Sequence, residues 1–169
     1  DEVATEVRKK SLIDVIIGIG GGSTMDVAKA AAALAKNPGK AIIYRGFDQL
    51  TIPNIPTVMI PSTAGTGSEV TINASFVDKD EMKKLGVNGR YMSADFAILD
   101  AKWLESCPYF PMLSAGLDAM VHTLESFMAK TSTELSLVLS KQAFYYLFNN
   151  LLVINEEEKD IHKLQALLL

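Results

Sequence analysis

A glycine cluster between an apolar run and a helical pattern is the first place where this sequence could bind a ligand. The apolar run Val15–Ile19 is rich in β-branched residues, which favours a strand, and the helical pattern begins at Ser23. Gly20, Gly21 and Gly22 lie between them and would let a ligand approach the backbone. A helix N-terminus offers unpaired N–H groups and the positive end of its dipole. The pattern predicts a phosphate or pyrophosphate site, with a purely structural strand-to-helix turn as the alternative.

This glycine loop departs from the dinucleotide fingerprint G-x-G-x-x-G in two ways. Ser23 stands where the third glycine would be. The next apolar segment, Ala41–Tyr44, is predicted as a strand, and it is followed by Arg45 and Gly46 instead of an acidic residue. The loop is therefore either a phosphate loop of another lineage or a plain turn.

A second loop of small and hydroxyl residues, Ser62–Glu69, directly follows a strand predicted at Thr57–Ile60. Its hydroxyl groups could form hydrogen bonds to phosphate, ribose or an amide. Alone it could equally be a solvated turn. Because ligands in open α/β sheets collect at the carboxyl ends of strands, two such loops favour a binding site.

A polar stripe on an otherwise apolar helix is the third candidate. The helix is predicted at Leu113–Lys130, and Asp118, His122 and Glu125 fall at i, i+4 and i+7 on one side of it. Side chains four apart lie about 5–6 Å from each other at Cβ, so Asp118 and His122 could share a metal ion. We expect the helix to be buried, and a buried carboxylate needs a partner or a metal. A hydrogen-bonded Asp–His pair in the core is the alternative, and His162 is expected to be a solvated helix residue.

The elements that must position these groups change in character along the chain. Strand and helix patterns alternate first, and from about Pro111 onward only helical patterns occur, which marks a domain boundary. The remaining predicted elements are a helix at Ser23–Lys36, strands at Val70–Val77, Met82–Val87 (antiparallel to the one before) and Phe96–Leu99 (buried), a turn at Asp78–Asp80, and helices that begin with capping boxes at Thr131/Glu134 and Asn155/Glu158.

Composition bounds the class of protein. The 169 residues are 49% hydrophobic with a formal net charge of -4, which favours a globular fold and argues against a nucleic-acid surface. The single cysteine, Cys107, excludes an internal disulfide and fits the cytoplasm. No apolar run approaches the roughly 20 residues that cross a bilayer. The chain starts at Asp1 and ends on three leucines, so we expect a fragment of a longer protein.

Three segments together resemble one family, the iron-containing (group III) alcohol dehydrogenases. Gly20–Lys29 resembles their GGGSxxDxAK motif, Ile60–Thr71 resembles IPTTAGTGSEVT, and Ser114–Glu125 resembles the metal helix AxGxDAxxHxxE. The wider superfamily includes glycerol dehydrogenases and dehydroquinate synthases. The resemblance implies an α/β Rossmann-like nucleotide-binding domain over residues 1–110, lacking its N-terminal βα unit, followed by the first helices of an all-α metal-binding domain over residues 111–169.

The resemblance also implies which residues contact NAD or NADP. The glycine loop would hold the pyrophosphate through Gly20, Gly21, Gly22, Ser23 and Thr24. The second loop would contact the cofactor through Ser62 and Thr63, and the ribose and nicotinamide would be lined by Thr71, Asn73 and Lys84. The backbone at Leu104 would border the adenosine. Periodicity alone would make Lys84 an ordinary surface lysine.

Asp118 and His122 match the first two of the family's four metal ligands, the other two being histidines in later helices. The resemblance implies Fe²⁺, or alternatively Zn²⁺, that polarises the oxygen of an alcohol, aldehyde or ketone during hydride transfer with NAD(P). It identifies no catalytic side chain in this chain, which alone would be inactive. The full-length protein would be a homo-oligomer that acts on a small molecule.

Two other readings of the sequence stay open. One is another activity of the superfamily, such as polyol oxidation or a cyclising synthase. The amino-acid sequence of the second loop argues against this alternative. The other is a non-catalytic nucleotide-binding or interaction fragment, which the missing metal ligands would favour.

Overall fold

A computed structural model describes residues 1–10, 12–78, 81–151, 154 and 159–169. These residues form two compact units. Unit 1 consists of Asp1–Pro61 and Gly67–Ile98, and unit 2 consists of Ser62–Thr66 and Leu99–Leu169. The compact units divide next to Ile98, whereas the change to purely helical sequence patterns lies near residue 110. The functional domains 1–110 and 111–169 remain a prediction.

Unit 1 contains a short parallel sheet and a small mixed sheet. Its helices and strands are α1 (Glu2–Arg8), β1 (Ile16–Gly20), α2 (Gly22–Lys36), β2 (Gly46–Phe47), β3 (Thr57–Pro61), β4 (Asn73–Asp78), β5 (Lys83–Asn88) and β6 (Phe96–Ala97). The parallel sheet has the order β1-β3-β6, with Gly18 opposite Met59 and Met59 opposite Ala97. The predicted strands at the two loops and the helix after the glycine cluster are confirmed to within one residue.

Helix α2 packs on one face of the parallel sheet. A Cβ at Gly18 would lie 2.8 Å from the Cβ of Ala28 and 2.7 Å from the sulfur of Met59, so this contact requires glycine. Side chains alternate along a strand, and Ile17 and Phe96 on the other face are exposed. The prediction of a buried strand at 96–99 is wrong, because β6 covers only Phe96–Ala97 at the edge of the parallel sheet, where both residues are exposed.

The mixed sheet has the order β2-β5-β4. Strands β4 and β5 pair antiparallel from Asn73↔Asn88 to Asp78↔Lys83, which confirms the antiparallel pairing expected for the second strand. The predicted strand begins three residues too early, because Val70 ends a turn in which its N–H donates to the Gly67 carbonyl at 3.0 Å. Of the turn expected at 78–80, Lys79 and Asp80 lie outside the described residues.

The segment Ala41–Tyr44 is a 3₁₀ helix, so the strand predicted there is wrong. Arg45 N–H donates to the Ile42 carbonyl at 3.4 Å, and the Tyr44 hydroxyl donates to the Pro38 carbonyl at 2.6 Å. These local bonds turn the segment back on itself, and Tyr44 packs against a cluster of buried residues in unit 1. An apolar run of four residues does not by itself distinguish a strand from a helical turn.

Unit 2 is helical. It contains α3 (Tyr109–Met128), α4 (Glu134–Leu151) and α5 (Ile161–Leu168), preceded by a 3₁₀ helix at Ala101–Leu104. Helix α3 begins four residues before the predicted start at Leu113, because Pro111 lies in the first turn, where no N–H donor is needed. The core contains Leu104, Met112, Leu147, Leu151, Leu164, Leu167 and Leu168, so two of the three terminal leucines have partners.

Helix α4 begins with a different capping box from the one predicted. Thr133 N–H donates to Ser136 Oγ at 2.9 Å, and Ser136 N–H donates to Thr133 Oγ1 at 3.2 Å, so the Thr131/Glu134 box is wrong by two residues. The box expected at 155–158 lies outside the described residues. Helix α5 is capped by Asp160, whose side chain accepts from His162 N–H at 2.8 Å, and His162 is exposed as expected.

No helix in the described part of the chain is both long and apolar enough to cross a lipid bilayer.

Candidate functional site

The glycine loop forms the turn from β1 into α2. Gly21 is the N-cap residue, with extended backbone angles, and its carbonyl accepts the first helical hydrogen bonds from Thr24 N–H at 3.0 Å and Met25 N–H at 3.1 Å. The N–H groups of Gly22 and Ser23 therefore precede the first hydrogen-bonded turn of a 15-residue helix. Ser23 and Thr24 are exposed. Such a helix start can accept an anion.

Gly20 closes this turn against the helix. Its φ is +155°, and a Cβ built on it would lie 2.8 Å from the side chain of Thr24. The structure thus brings all five predicted phosphate-loop residues into one turn, in a shape that any side chain at Gly20 would obstruct.

Lys29, one helical turn further along α2, lies at the centre of a cage of carbonyl groups. Only 1% of its surface is exposed. Its Nζ donates to the main-chain oxygens of Ser68 at 2.7 Å, Asn73 at 2.5 Å and Thr71 at 3.3 Å. Thr71 thus directs its carbonyl at Lys29, whereas the Ile72 carbonyl accepts from Gly89 N–H at 2.9 Å. The contact with Lys29 therefore lies in the irregular stretch that precedes β4.

Asp26 holds the same segment from the other side of the ammonium group. Its Oδ1 accepts from Ser68 Oγ at 2.6 Å, and its Oδ2 accepts from Ser75 N–H at 2.9 Å. The carboxylate lies 3.5 Å from Lys29 Nζ. The buried pair is therefore fully surrounded by hydrogen-bonding groups, as buried charges must be.

Burial shifts the pKa values of two ionisable groups at this place, Lys29 and the neighbouring Glu69. Burial lowers the pKa of the Lys29 ammonium, although Asp26 partly opposes that shift. Burial likewise raises the pKa of the neighbouring Glu69 carboxyl, against a backbone hydrogen bond and the charge of Lys29. Burial therefore opposes the charged forms of Lys29 and Glu69, and the carbonyl cage around Lys29 offsets part of this cost.

Asp26 and Lys29 belong to the Gly20–Lys29 motif, but the sequence alone assigned no role to either of them. A signal for their role was present, because the two charges lie three residues apart on a helix that is otherwise rich in alanine. Ala30, Ala31, Ala32 and Ala33 are all buried. Charged residues in such a helix are rarely buried unless they are paired.

The other residues predicted to contact the cofactor lie in different settings. Lys84 is exposed on β5, opposite Val77. Ser62 and Thr63 are half-buried in the stretch that belongs to unit 2. The side chain of Leu104 is fully buried in the core of unit 2, which leaves only its backbone for the role that the resemblance implies. These assignments stay predictions.

The part of the second loop that belongs to unit 2, Ser62–Thr66, lies directly against α3. A Cβ at Gly65 would clash with the Ala115 carbonyl oxygen, so the two backbones touch. Ala115 precedes Asp118 by less than one helical turn. The structure therefore brings this part of the loop next to the helix that carries the predicted metal ligands.

Asp118 and His122 form an exposed pair on α3. Asp118 Oδ2 lies 3.7 Å from His122 Nδ1, and the side chains are 52% and 56% exposed. The expectation of a buried helix is wrong. Only Met112, Gly116 and Thr123 of α3 are buried, because a single side of the helix packs into unit 2.

A carboxylate and an imidazole on adjacent turns are a donor set that suits zinc or ferrous iron. They supply two of the three or more protein ligands that such a centre needs. Across the residues that the structure describes, no group of three His, Cys, Asp or Glu side chains could hold a metal ion. Asp118 and His122 therefore fit a metal as part of a ligand set.

Comparison with known proteins identifies the family. The sequence model for "Iron-containing alcohol dehydrogenase" matches residues 1–101. The chain belongs to the iron-containing alcohol dehydrogenase family. This confirms the resemblance seen in the three motifs.

Similar proteins whose names describe their reactions support this family assignment. Sulfoacetaldehyde reductase of Bilophila wadsworthia is 40% identical over 139 residues, which are 82% of this chain and 36% of that protein. NAD-dependent methanol dehydrogenase of Bacillus methanolicus is 34% identical over 138 residues, again 82% of this chain and 36% of the relative. The chain thus spans about a third of the length of these proteins.

Solved structures of the family share the fold. An iron-containing alcohol dehydrogenase from Thermotoga maritima superposes with a TM-score of 0.85 at 32% identity, over 99% of this chain and 45% of that chain. Sulfoacetaldehyde reductase from Bifidobacterium kashiwanohense, solved in complex with NAD⁺, gives 0.90 at 27% identity, over 99% and 45%. The predicted α/β region followed by a helical segment is confirmed.

Proposed function

We propose that this chain is part of an oxidoreductase that transfers a hydride between a small alcohol and NAD, with an aldehyde or ketone as the oxidised product. The observation that carries the proposal is the glycine turn at the start of α2, where Gly22 and Ser23 present N–H groups at a helix N-terminus. Membership of the family supports it.

In the proposed site, the turn at 20–24 holds the pyrophosphate. Backbone N–H groups and the helix dipole neutralise its charge, and Ser23 and Thr24 add exposed hydroxyl donors. Thr71, Asn73 and Lys84 are proposed for the ribose and nicotinamide, Ser62 and Thr63 for further contacts, and the backbone at Leu104 for the adenosine. The bound nicotinamide would accept or deliver the hydride.

Asp118 and His122 would hold a divalent metal ion, for which we propose Fe²⁺. The ion would supply Lewis-acid polarisation of a substrate oxygen. The half-exposed carboxylate and imidazole are free to turn toward an ion without breaking a buried network. The remaining ligands would come from parts of the parent protein beyond these residues.

We further propose a cytoplasmic homo-oligomer that acts on a small-molecule substrate. The single cysteine supports a reducing compartment. The named relatives act on small alcohols and aldehydes by their printed names, such as methanol dehydrogenase and sulfoacetaldehyde reductase.

Titration of the 169-residue chain with NADH and with NADPH, followed by cofactor fluorescence, tests the cofactor site. We expect NADH to bind, and Gly21→Val or Gly22→Val to raise its Kd at least about tenfold by obstructing the turn. Gly86→Val is the matched control, since this glycine lies in β5, where the atoms nearest to a new Cβ belong to the Asn88 side chain. Cofactor binding that is unaffected by the two loop variants would contradict the proposed phosphate site, and tighter binding of NADPH would replace NAD by NADP.

Metal analysis and an alcohol oxidation assay test the second half of the site. We expect that the 169 residues alone do not oxidise an alcohol, because no third ligand joins Asp118 and His122 among the described residues. Turnover by this chain with a bound metal would show that the site is complete without further ligands. Binding of Zn²⁺ in preference to Fe²⁺ would change the proposed metal.

A further inference from the structure

The stretch that leads from the second loop into β4 has no regular secondary structure between Gly67 and Ile72, and it is held from one side by α2. Lys29 Nζ gathers the carbonyl oxygens of Ser68, Thr71 and Asn73 at 2.7, 3.3 and 2.5 Å. A single ammonium group with three donors thus fixes the direction of three peptide units. We refer to residues 68–75 as the caged segment.

Asp26 closes the two ends of the caged segment. One oxygen accepts from Ser68 Oγ at 2.6 Å and the other from Ser75 N–H at 2.9 Å. These two partners are the first and last residues of the segment. The carboxylate therefore fixes the span of the segment, and the ammonium group fixes its carbonyl directions.

Fixing the carbonyls also fixes where the side chains of the segment point. Thr71 Oγ1 lies 3.4 Å from Lys29 Nζ, and Asn73 is exposed at the start of β4. Val70 and Ile72, which alternate with them, are 67% and 44% exposed, so the segment has no apolar anchor of its own at these positions. Ala74, in contrast, is buried with Ala30 and Ala33 of α2 and pairs with β5, so the polar contacts with α2 act mainly on the part of the segment before β4.

We propose that Asp26 and Lys29 are positioning residues, which set the orientation of Thr71 and Asn73 for the cofactor without touching it. This inference rests on the proposed function, because Thr71 and Asn73 are cofactor residues only if the chain binds NAD(P). Both charged side chains are almost fully buried, and their hydrogen bonds are made to protein groups. Neither side chain therefore needs a ligand as a partner.

The competing explanation is that the pair merely fills the space between α2 and the loop. A buried ion pair used only for packing can be replaced by apolar side chains of similar volume without loss of stability. The positioning role differs in one respect, because an apolar pair would stabilise the fold but would leave the carbonyls of Ser68, Thr71 and Asn73 without their shared donor.

Three variants of the 169-residue chain separate these explanations. Lys29→Met removes the donor, the double change Asp26→Leu with Lys29→Met replaces the pair by apolar groups, and Lys36→Met is the control on the exposed end of α2. Each is measured for melting midpoint, for amide hydrogen exchange in the caged segment and for the Kd of NADH. These readouts report the fold, the segment and the site separately.

We expect Lys29→Met to exchange at least about tenfold faster in the caged segment and to bind NADH about tenfold more weakly, while Lys36→Met changes neither. The double variant should recover the melting midpoint and keep both defects. Recovery of exchange protection and NADH affinity together with the midpoint would overturn the proposal. If Lys29→Met does not fold, the double variant and Lys29→Arg, which keeps the charge, decide the question in the same way.

The exchange measurement also keeps this inference distinct from the proposed function. A wild-type chain that binds neither NADH nor NADPH would contradict the cofactor site. Unchanged exchange of the caged segment in the double variant would overturn the positioning role, whatever the chain binds.

Discussion

The protein carries two acid–base pairs on helices, and they differ in almost every physical respect. Asp26 and Lys29 are three residues apart on α2, buried, and enclosed by main-chain and hydroxyl groups. Asp118 and His122 are four residues apart on α3 and more than half exposed, at 3.7 Å from each other. The first pair is enclosed by the protein itself, whereas the second is open to solvent.

This difference shows what a motif can and cannot tell. Both pairs stand in motifs of the same family, and the exposed pair attracted the functional interpretation because its residue types are metal ligands. The buried pair uses equally reactive residue types for a structural purpose. Burial and saturation of hydrogen bonds, which only the structure shows, separate a group that holds the fold from one that awaits a ligand.

The largest expected effect is at the buried pair. Asp26→Ala leaves the Lys29 ammonium buried without its counter-charge, and we expect a loss of about 3–5 kcal/mol in the free energy of unfolding. Urea denaturation followed by circular dichroism measures it, with the exposed Asp14→Ala as control. A loss no larger than that of the control would show that the pair contributes nothing to the fold.

A smaller effect is expected at one hydrogen bond of the same carboxylate. Ser68→Ala removes the hydroxyl that donates to Asp26 at 2.6 Å, and a hydrogen bond to a charged group contributes about 1.5–3 kcal/mol. Ser75→Ala is the matched control, because Ser75 donates to Asp26 through its backbone N–H, which the variant retains. Equal losses in the two variants, measured by urea denaturation, would contradict this geometry.

The charge next to the buried pair predicts a pH dependence. Burial raises the folded-state pKa of Glu69 above its ordinary value of 4.5, so the stability contributed by the protonated carboxyl is present below pH 4.5 and lost as pH rises through the raised pKa. Glu69→Gln stays neutral, and its stability relative to wild type should therefore increase between about pH 4 and about pH 7. A difference between variant and wild type that is constant over this range would refute the assignment.

The smallest effect on stability is expected at the exposed pair. Asp118→Ala and His122→Ala should each change the free energy of unfolding by less than about 0.5 kcal/mol, since exposed ion pairs contribute little. The same urea titrations measure it. A loss comparable to that of Asp26→Ala would mean that the two pairs do not differ in kind.

Much of the architecture could be predicted because it follows local rules. Apolar runs identified β1 and β3, and the glycine cluster identified the turn into α2. The predictions failed where hydrogen bonds that the apolar pattern does not reveal set the backbone. The Thr71 carbonyl binds Lys29 in the irregular stretch before β4, and the local bonds of Arg45 and Tyr44 form a 3₁₀ helix from an apolar run.

The candidate site was predictable in its residue types and less so in its environment. The glycine turn at the start of α2 is where the sequence predicts it, because glycines between an apolar run and a helical pattern are typical of a tight strand-to-helix turn. Its phosphate-binding role stays a prediction. The exposure of Asp118 and His122 was mispredicted, since the apolar residues around them indicated a buried helix while only one side of α3 packs. The role of Asp26 and Lys29 required the position of a segment about 40 residues away, which local reasoning does not provide.

Titration of the chain with Zn²⁺, followed by NMR of side-chain and amide signals, tests the contrast between the two pairs most directly. We expect the ring signals of His122 and the amide signals around Asp118 to shift, while the signals of Asp26 and Lys29 do not change. The chain has two histidines, and the exposed His162 serves as the internal control. Equal shifts at His122 and His162, or shifts at Lys29, would contradict the assignment of an open pair on α3 and a closed pair on α2.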